Sequence, residues 1–121
     1  MAVNFYTLVV DAHDKSALAS FWCRVLDWKV VYEDDDEVTI GADADTLPGM
    51  CFVDVPEAKT VKNRLHIDLA PDDLEVEVER IIGLGARRID VGQGPDASWA
   101  VLADPEGNEF CVLTPKRSLT G

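Results

Sequence analysis

Basic residues are scarce in this chain. Lysine and arginine together number 11 against 23 aspartates and glutamates, which gives a formal net charge of -12 at pH 7. Proteins that bind nucleic acid draw most of their affinity from basic side chains that neutralise phosphates, and anionic membrane surfaces attract the same side chains. The composition therefore predicts no nucleic-acid partner and no membrane partner.

Long apolar runs and closely spaced cysteines are also missing. No apolar stretch approaches the roughly 18 residues of a membrane span, and no basic region precedes a signal-like stretch at the amino terminus. The cysteines, Cys23, Cys51 and Cys111, form no Cys-x-x-Cys pair of the kind found in zinc and redox motifs. We expect a cytoplasmic protein whose cysteines are free thiols.

The chain has the size and apolar content of one compact domain. Its 121 residues are 47% hydrophobic, which is enough for one sizeable core, so residues 1–121 are predicted to form a single domain. In the first half, Asp14 is a plausible N-cap, and the apolar residues that follow it recur with the spacing of one helical face. β-branched and aromatic runs predict four strands, over 3–10, 28–33, 37–42 and 50–55.

The second half repeats this order. Asp72 and Glu75 resemble a capping box at the start of a helix over 72–85, which Gly83 and Gly85 would end. Strands are predicted over 64–70, 87–91, 99–104 and 109–114. The pattern is βαβββ twice, in modules of about 3–56 and 63–115, and each module is too small to bury a good core alone. We therefore expect an α+β fold in which the two halves close on each other.

Three stretches carry a family resemblance: residues 21–28 (FWCRVLDW), 62–88 and 104–113 (DPEGNEFCVL). They resemble the vicinal oxygen chelate superfamily, in particular its glyoxalase-like or bleomycin-resistance-like single-domain members. The resemblance implies curved mixed sheets that enclose a cleft, and subunits that pair, so that a homodimer is expected. It also implies, in the metal-using members, a divalent ion held by His, Gln or Glu on the first and last strands of each half.

His66 is the strongest candidate for a functional residue. Strict alternation puts Leu65, Ile67 and Leu69 on one face of their strand and puts His66 and Asp68 on the other face. His66 also matches the family position of a metal ligand. The alternative is that the imidazole only forms hydrogen bonds inside a half-buried cleft.

The remaining ligand positions of the family are occupied by other residue types. The family's glutamate falls four residues after the turn glycine, and here that position is Cys111. A thiolate binds zinc or iron(II), but it changes the charge and the preferred metal, and Glu109 on the same strand face is an alternative ligand at the wrong spacing. In the first half, the corresponding positions are Phe5, Thr7 and Val9 on the opening strand and Phe52 and Val53 on the closing strand. This pattern predicts no certain cofactor and leaves a divalent metal as an alternative.

Aromatic side chains offer a second kind of site. Trp99 follows the glycine-containing loop 91–98, which is placed to act as a rim, and an apolar pocket with Phe5, Thr7 and His66 would suit a small, partly aromatic molecule. Trp22 lies on the helical apolar stripe and is assigned to the core, whereas the role of Trp28 and Tyr32 stays open. His13 and the acidic run 33–37 are interpreted as solvated connections.

Three functions compete on these residues. The first is a small-molecule-binding protein without a firmly bound metal, whose contacts are Phe5, Thr7, His66, Trp99 and Cys111. The second is a metal-dependent lyase, isomerase or dioxygenase with an atypical site of His66, Cys111 and possible help from Glu109. The third is a noncatalytic interaction domain. The fold alone does not choose among them, since one scaffold hosts many activities.

Overall fold

The computed structural model describes residues 2–89 and 99–120. Contacts within the chain define two compact units, Met1–Ala58 (unit 1) and Lys59–Gly121 (unit 2). Within the described residues, each unit has one helix and one four-stranded mixed sheet, which confirms the α+β class and the doubled βαβββ order. No helix in the described part of the chain is long and apolar enough to cross a membrane.

Unit 1 contains helix α1 (Lys15–Leu26) and four strands: β1 (Thr7–Ala12), β2 (Lys29–Glu33), β3 (Glu37–Gly41) and β4 (Gly49–Asp54). The strand order is β1-β4-β3-β2. β1 pairs with β4 in parallel, and the other two pairs are antiparallel.

Unit 2 contains helix α2 (Leu74–Gly83) and four strands: β5 (Asp68–Leu69), β6 (Arg87–Arg88), β7 (Ala100–Ala103) and β8 (Glu109–Val112). Its strand order is β5-β8-β7-β6, which is the order of unit 1 with each strand replaced by its counterpart. β5 pairs with β8 in parallel, so the first and last strands of each unit are neighbours.

Helix α1 begins directly after its capping residue, Asp14, and buries the apolar face predicted from the residue spacing. The Asp14 side chain accepts a hydrogen bond from the Ala17 N–H at 3.1 Å, which satisfies one of the free amides at the helix start. Trp22 is 2% exposed and packs its ring edge-on to Phe21, so its assignment to the core is confirmed. The helix ends at Leu26, and the C-cap residue Asp27 takes a left-handed conformation with φ of 55°.

The two cores lie between each helix and one face of its sheet. In unit 1, α1 contacts β3 and β4, and in unit 2, α2 contacts β8. Period-2 alternation explains this placement, because every second residue of these strands points to the helix. The largest fully buried side chains are Leu18, Val38, Ile40 and Phe52 in unit 1 and Val78, Leu102, Phe110 and Val112 in unit 2.

Several predicted boundaries were wrong. The strand predicted over 3–10 begins only at Thr7, and the strand predicted over 64–70 is reduced to Asp68–Leu69, with Leu65 at 78% exposure. Alternation predicts which face a residue occupies, but a strand extends only as far as its partner pairs with it. Residues 90 and 91 of the strand predicted over 87–91 lie outside the described residues.

The predicted cap of α2 was wrong by one residue. The N-cap is Asp73, whose carboxylate accepts from the Val76 N–H at 3.1 Å, rather than Asp72. Two adjacent aspartates present the same chemistry to the helix start, and the backbone angles decide which one reaches the third amide. The helix itself stops at Gly83, and Gly85 then turns the chain with φ of 126°.

Candidate functional site

The candidate site lies where β5 and β8 pair in unit 2. Asp68 is opposite Cys111, the Cys111 N–H donates to the Ile67 carbonyl at 2.9 Å, and the Leu113 N–H donates to Leu69 at 2.8 Å. Paired residues on neighbouring strands project from the same face of a sheet. This register therefore puts the Asp68 and Cys111 side chains beside each other.

The turn that precedes β8 fixes where Cys111 falls. Asp104, which is 3% exposed, accepts backbone hydrogen bonds from Glu106 at 2.9 Å and from Asn108 at 3.0 Å. Gly107 takes φ of 90°, a conformation that side-chain-bearing residues rarely adopt. The sequence DPEGN thus forms the tight turn that its residues predict, and it sets the register between β7 and β8.

Three potential ligand atoms meet at this place. The side chains of His66, Asp68 and Cys111 each offer one atom, and these atoms all lie within 4.8 Å of one another. His66 Nε2 lies 3.2 Å from Asp68 Oδ1. The His66 and Asp68 side chains are 47% and 49% exposed, whereas Cys111 is 9% exposed. The group is therefore anchored in the sheet at the thiol and open to solvent on its other side.

The environment of Cys111 favours its protonated form. Burial raises the pKa of the Cys111 thiol, and the negative charge and hydrogen bonding of Asp68 raise it further, while the Lys62 charge lowers it. In the absence of a cation at the site, Cys111 is a thiol rather than a thiolate at neutral pH.

Asp68 is the member of this group that sequence reasoning missed as a ligand. The alternation had placed it on the face of His66, and the glycine count had placed Cys111 on the paired strand. The missing information was the register between β5 and β8, which sets Asp68 opposite Cys111. A parallel pairing between distant segments leaves no mark in the local sequence.

The Glu109 side chain, predicted as an alternative metal ligand, contacts the segment that precedes β5. Its carboxylate lies 3.2 Å from Lys59 Nζ and accepts a hydrogen bond from the Asn63 N–H at 3.4 Å. Burial opposes the ionisation of Glu109, but the hydrogen bonds from its own backbone, Lys59 and Asn63 outweigh burial and hold the pKa of Glu109 below its usual range. The carboxylate is thus engaged by the segment that leads to β5.

The other predicted contact residues are distributed over both units. Phe5 precedes β1 and is 66% exposed, and Thr7 is the half-buried first residue of β1, opposite Gly49. Trp99 directly precedes β7 and is 40% exposed, while the loop 91–98 lies outside the described residues. Of the five residues predicted to contact a ligand, the structure brings His66 and Cys111 together in unit 2.

The solvated connections are where the sequence predicted them. His13 is exposed between β1 and α1. In the acidic run, Asp34 accepts from the backbone amides of Asp36 at 2.8 Å and Glu37 at 3.0 Å, and the Tyr32 hydroxyl donates to it at 2.7 Å. The run is therefore a hydrogen-bonded turn between β2 and β3, with Tyr32 exposed beside it.

The comparison with protein families agrees with this fold. The family model described as the glyoxalase-like domain matches residues 7–113. The match covers most of the chain, so the chain belongs to this family. A search among curated proteins found no match.

Solved structures of varied function share the fold at low identity. A glyoxalase/bleomycin resistance protein/dioxygenase family enzyme from Burkholderia phytofirmans PsJN is 19% identical, with a TM-score of 0.71 over 94% of this chain and 100% of that one. FosX, a fosfomycin resistance protein from Listeria monocytogenes solved with Mn(II) and a dihydroxypropylphosphonic acid, is 12% identical, with a TM-score of 0.73 over 96% and 92% of the two chains. TnmS3, an antibiotic-binding protein from Streptomyces sp. CB03234, is 17% identical, with a TM-score of 0.67 over 96% and 99%. At these identities the likeness shows the fold alone.

Proposed function

We propose that this chain is a small-molecule-binding protein whose unit 2 holds a divalent metal ion on His66, Asp68 and Cys111, with the ion in contact with the ligand. The observation that carries the proposal is the convergence of an imidazole, a carboxylate and a thiol within 4.8 Å of one another. Three protein ligands with a further position left open are the usual arrangement of a metal site that meets a substrate.

The donor set fits such an ion in distance. Ligand atoms on one tetrahedral ion of zinc's size, each bonded at about 2.0–2.3 Å, lie roughly 3.5 Å apart. The spacing here is within 4.8 Å, and the His66 and Asp68 side chains are each about half exposed. Small side-chain rotations would therefore bring all three atoms to bonding distance.

The donor set also selects the kind of ion. Thiolate and imidazole ligands favour borderline ions such as zinc and iron(II) over magnesium or calcium, which prefer oxygen. A bound ion of this type would supply Lewis acidity, which polarises a carbonyl or hydroxyl oxygen of a ligand. The chain's own residues hold the ion, and the exposure of His66 and Asp68 leaves one side open to a ligand oxygen.

Titration of the purified protein with cobalt(II) tests the metal site. We expect one equivalent to bind with a thiolate-to-cobalt charge-transfer band. Cys111→Ser should remove that band and weaken binding at least about 100-fold, and His66→Ala and Asp68→Asn should weaken binding with the band retained. Cys51→Ser is the matched control, because Cys51 is a buried cysteine of unit 1. Failure of the wild-type chain to bind cobalt, or wild-type binding by Cys111→Ser, would overturn the proposal.

The open position is tested with a defined probe. Acetohydroxamic acid binds metal ions through two oxygen atoms, so we expect it to shift the visible absorption bands of the cobalt protein. A spectrum that does not change at saturating probe would show a closed structural site and refute the ligand-binding half of the proposal.

Binding without a metal is the second candidate function. It is favoured by the 3.2 Å contact between His66 and Asp68, which satisfies the imidazole and the carboxylate without an ion. On this alternative, His66 is the polar group that orients an organic ligand. A wild-type chain that purifies without metal, binds no cobalt and yet is stabilised against heat by a small molecule only when His66 is intact would support it.

The family resemblance also supports a homodimer as the functional assembly. Light scattering of the purified chain should then give twice the mass of 13.3 kDa. A single-chain mass at micromolar concentration would contradict this assembly.

A further inference from the structure

The segment Lys59–Ile67 must be held in place for His66 to reach its partners, because it contains no helix and no strand. The backbone pairing with β8 begins at Ile67, whose carbonyl accepts from Cys111. His66 is therefore the last residue before the paired strand begins. Its position depends on whatever fixes the chain upstream of it.

Glu109 makes the upstream contact. It lies two residues before Cys111 on β8, so both side chains project from the same face of the sheet. Its two carboxylate oxygens lie 3.3 and 3.2 Å from Lys59 Nζ, and one of them also accepts from the Asn63 N–H at 3.4 Å. The two side chains of this ion pair, Lys59 and Glu109, are only 21% and 15% exposed.

The ion pair between Lys59 and Glu109 is shielded from solvent, since both side chains are mostly buried. A shielded ion pair holds its geometry better than an exposed surface pair. Glu109 thus ties two points of the segment, Lys59 and Asn63, to the strand that carries Cys111.

We propose that Glu109 is a positioning residue that sets His66 beside Asp68 and Cys111 by holding Lys59 and Asn63. This inference rests on the proposed metal site. It gives Glu109 a role next to the ion's ligands rather than among them. Groups that hydrogen-bond directly to a metal ligand typically change metal affinity by about 10–100-fold when they are removed. Glu109 acts through Lys59 and Asn63, so we expect an effect at the lower end of that range.

Two measurements on matched variants test the proposal. Cobalt(II) affinity and absorption report on the site with the ion bound, and the NMR signals of the His66 ring report on its position without metal. Glu109→Ala should weaken cobalt binding about tenfold, retain the charge-transfer band, and shift the His66 signals. Glu109→Gln, which still offers an acceptor to Asn63, should recover part of the affinity.

The variant Asp73→Ala separates positioning from general loss of stability. It removes the N-cap of α2 in the same unit without touching the segment, so it should lower stability and leave cobalt affinity and the His66 signals unchanged. Lys59→Met and Glu109→Gln, combined, should weaken cobalt binding no more than either change alone, because both remove the same ion pair.

Each outcome decides the question. Wild-type cobalt affinity and unshifted His66 signals in Glu109→Ala would overturn the positioning role and leave the metal site standing. A changed cobalt geometry in that variant would show that Glu109 is itself a ligand, which also overturns the role. If the wild-type chain binds no cobalt, the metal site fails, and the His66 signals of metal-free Glu109→Ala decide the positioning role alone. If Glu109→Ala does not fold, Lys59→Met takes its place, because it breaks the ion pair with Glu109 and should likewise weaken cobalt binding and shift the His66 signals.

Discussion

The two units of this chain have the same backbone plan and different side chains at corresponding places. Both have the strand order first-last-third-second and a parallel pairing between the first and last strands. Both bury a phenylalanine of the last strand, Phe52 in unit 1 and Phe110 in unit 2. This core position is therefore the same in the two units.

The paired positions that hold the candidate site show the contrast directly. In unit 2, Asp68 is opposite Cys111, and in unit 1, Asp11 is opposite Val53. The carboxylate is present in both units, but the thiol is replaced by an apolar side chain in unit 1. A carboxylate on a sheet face is therefore not sufficient, and the site depends on what the neighbouring strand supplies.

The two flanking positions follow the same division. Val9 in unit 1 corresponds to His66 in unit 2, and Cys51 corresponds to Glu109. Val9 is 56% exposed and Cys51 contacts Glu37 at 3.5 Å. At these two positions, unit 1 therefore lacks the imidazole of His66 and the carboxylate of Glu109, which contacts the segment that leads to His66 in unit 2. A few side chains on a repeated scaffold account for the chemical difference, as expected where function is carried by sites rather than folds.

The sharpest way to break this contrast is to transfer the ligands to unit 1. The double variant Val9→His with Val53→Cys places an imidazole and a thiol around Asp11 in the register of unit 2. We expect a second equivalent of cobalt(II) to bind, about 100-fold tighter than unit 1 binds it without the two changes, which corresponds to roughly 2.7 kcal/mol. Absorption titration would show the charge-transfer band growing through two equivalents.

The control for this transfer is Val53→Cys alone, which lacks the imidazole and should bind one equivalent. A double variant that also stops at one equivalent would show that the three ligands are not enough. The absence in unit 1 of a counterpart to Glu109 would then be the difference to examine next, through Cys51→Glu.

The two helix starts offer a second comparison, with an effect of about 1 kcal/mol. Asp73 caps α2, whereas α1 has both Asp14 and a hydrogen bond at 2.9 Å from the Lys15 N–H to Asp54. We expect Asp73→Ala to lower the free energy of unfolding by about 1 kcal/mol, and Asp14→Ala to lower it by less. Urea denaturation followed by circular dichroism measures both.

Asp72→Ala completes this series. Asp72 stands next to the true cap, so its removal should change the free energy of unfolding by less than about 0.5 kcal/mol. A larger loss for Asp72→Ala than for Asp73→Ala would restore the cap that the sequence alone predicted.

The order of helices and strands could be predicted from the sequence because it depends on the local periodicity of apolar residues. The 3.6-residue spacing predicted one apolar face of α1, formed by Leu18, Phe21, Trp22, Val25 and Leu26. The first four residues are buried, and Leu26 is half-buried. The turn at Asp104–Asn108 was predictable for a similar reason, since its residue types prefer the conformations that the turn uses.

The site could be predicted only in part because it depends on pairing between distant segments. Alternation put His66 and Asp68 on one face and a motif count selected Cys111, but neither shows that Asp68 lies opposite Cys111. The predicted strand over 64–70 failed for the same reason. Leu65 has the right residue type for a strand, but the pairing with β8 begins further along the chain, and Glu109 holds the upstream segment through its side chain.

The smallest expected effect concerns a tie that unit 1 has between α1 and β4. Asp54 Oδ2 lies 2.8 Å from Lys15 Nζ, and Val112, near the corresponding place in unit 2, has no charge to offer. The hydrogen bond from the Lys15 side chain, and then that from its backbone N–H, hold the pKa of Asp54 below its usual range.

A lowered pKa in the folded state means that the Asp54 carboxylate stabilises the fold above the unfolded pKa of about 3.9. This contribution is lost as the pH falls through the folded pKa. Asp54→Asn should therefore have a slightly lower urea midpoint than wild type at pH 7, and the two midpoints should converge as the pH falls through the folded pKa of Asp54. A difference that stays constant from pH 7 to pH 2 would show that the tie acts by shape rather than by charge.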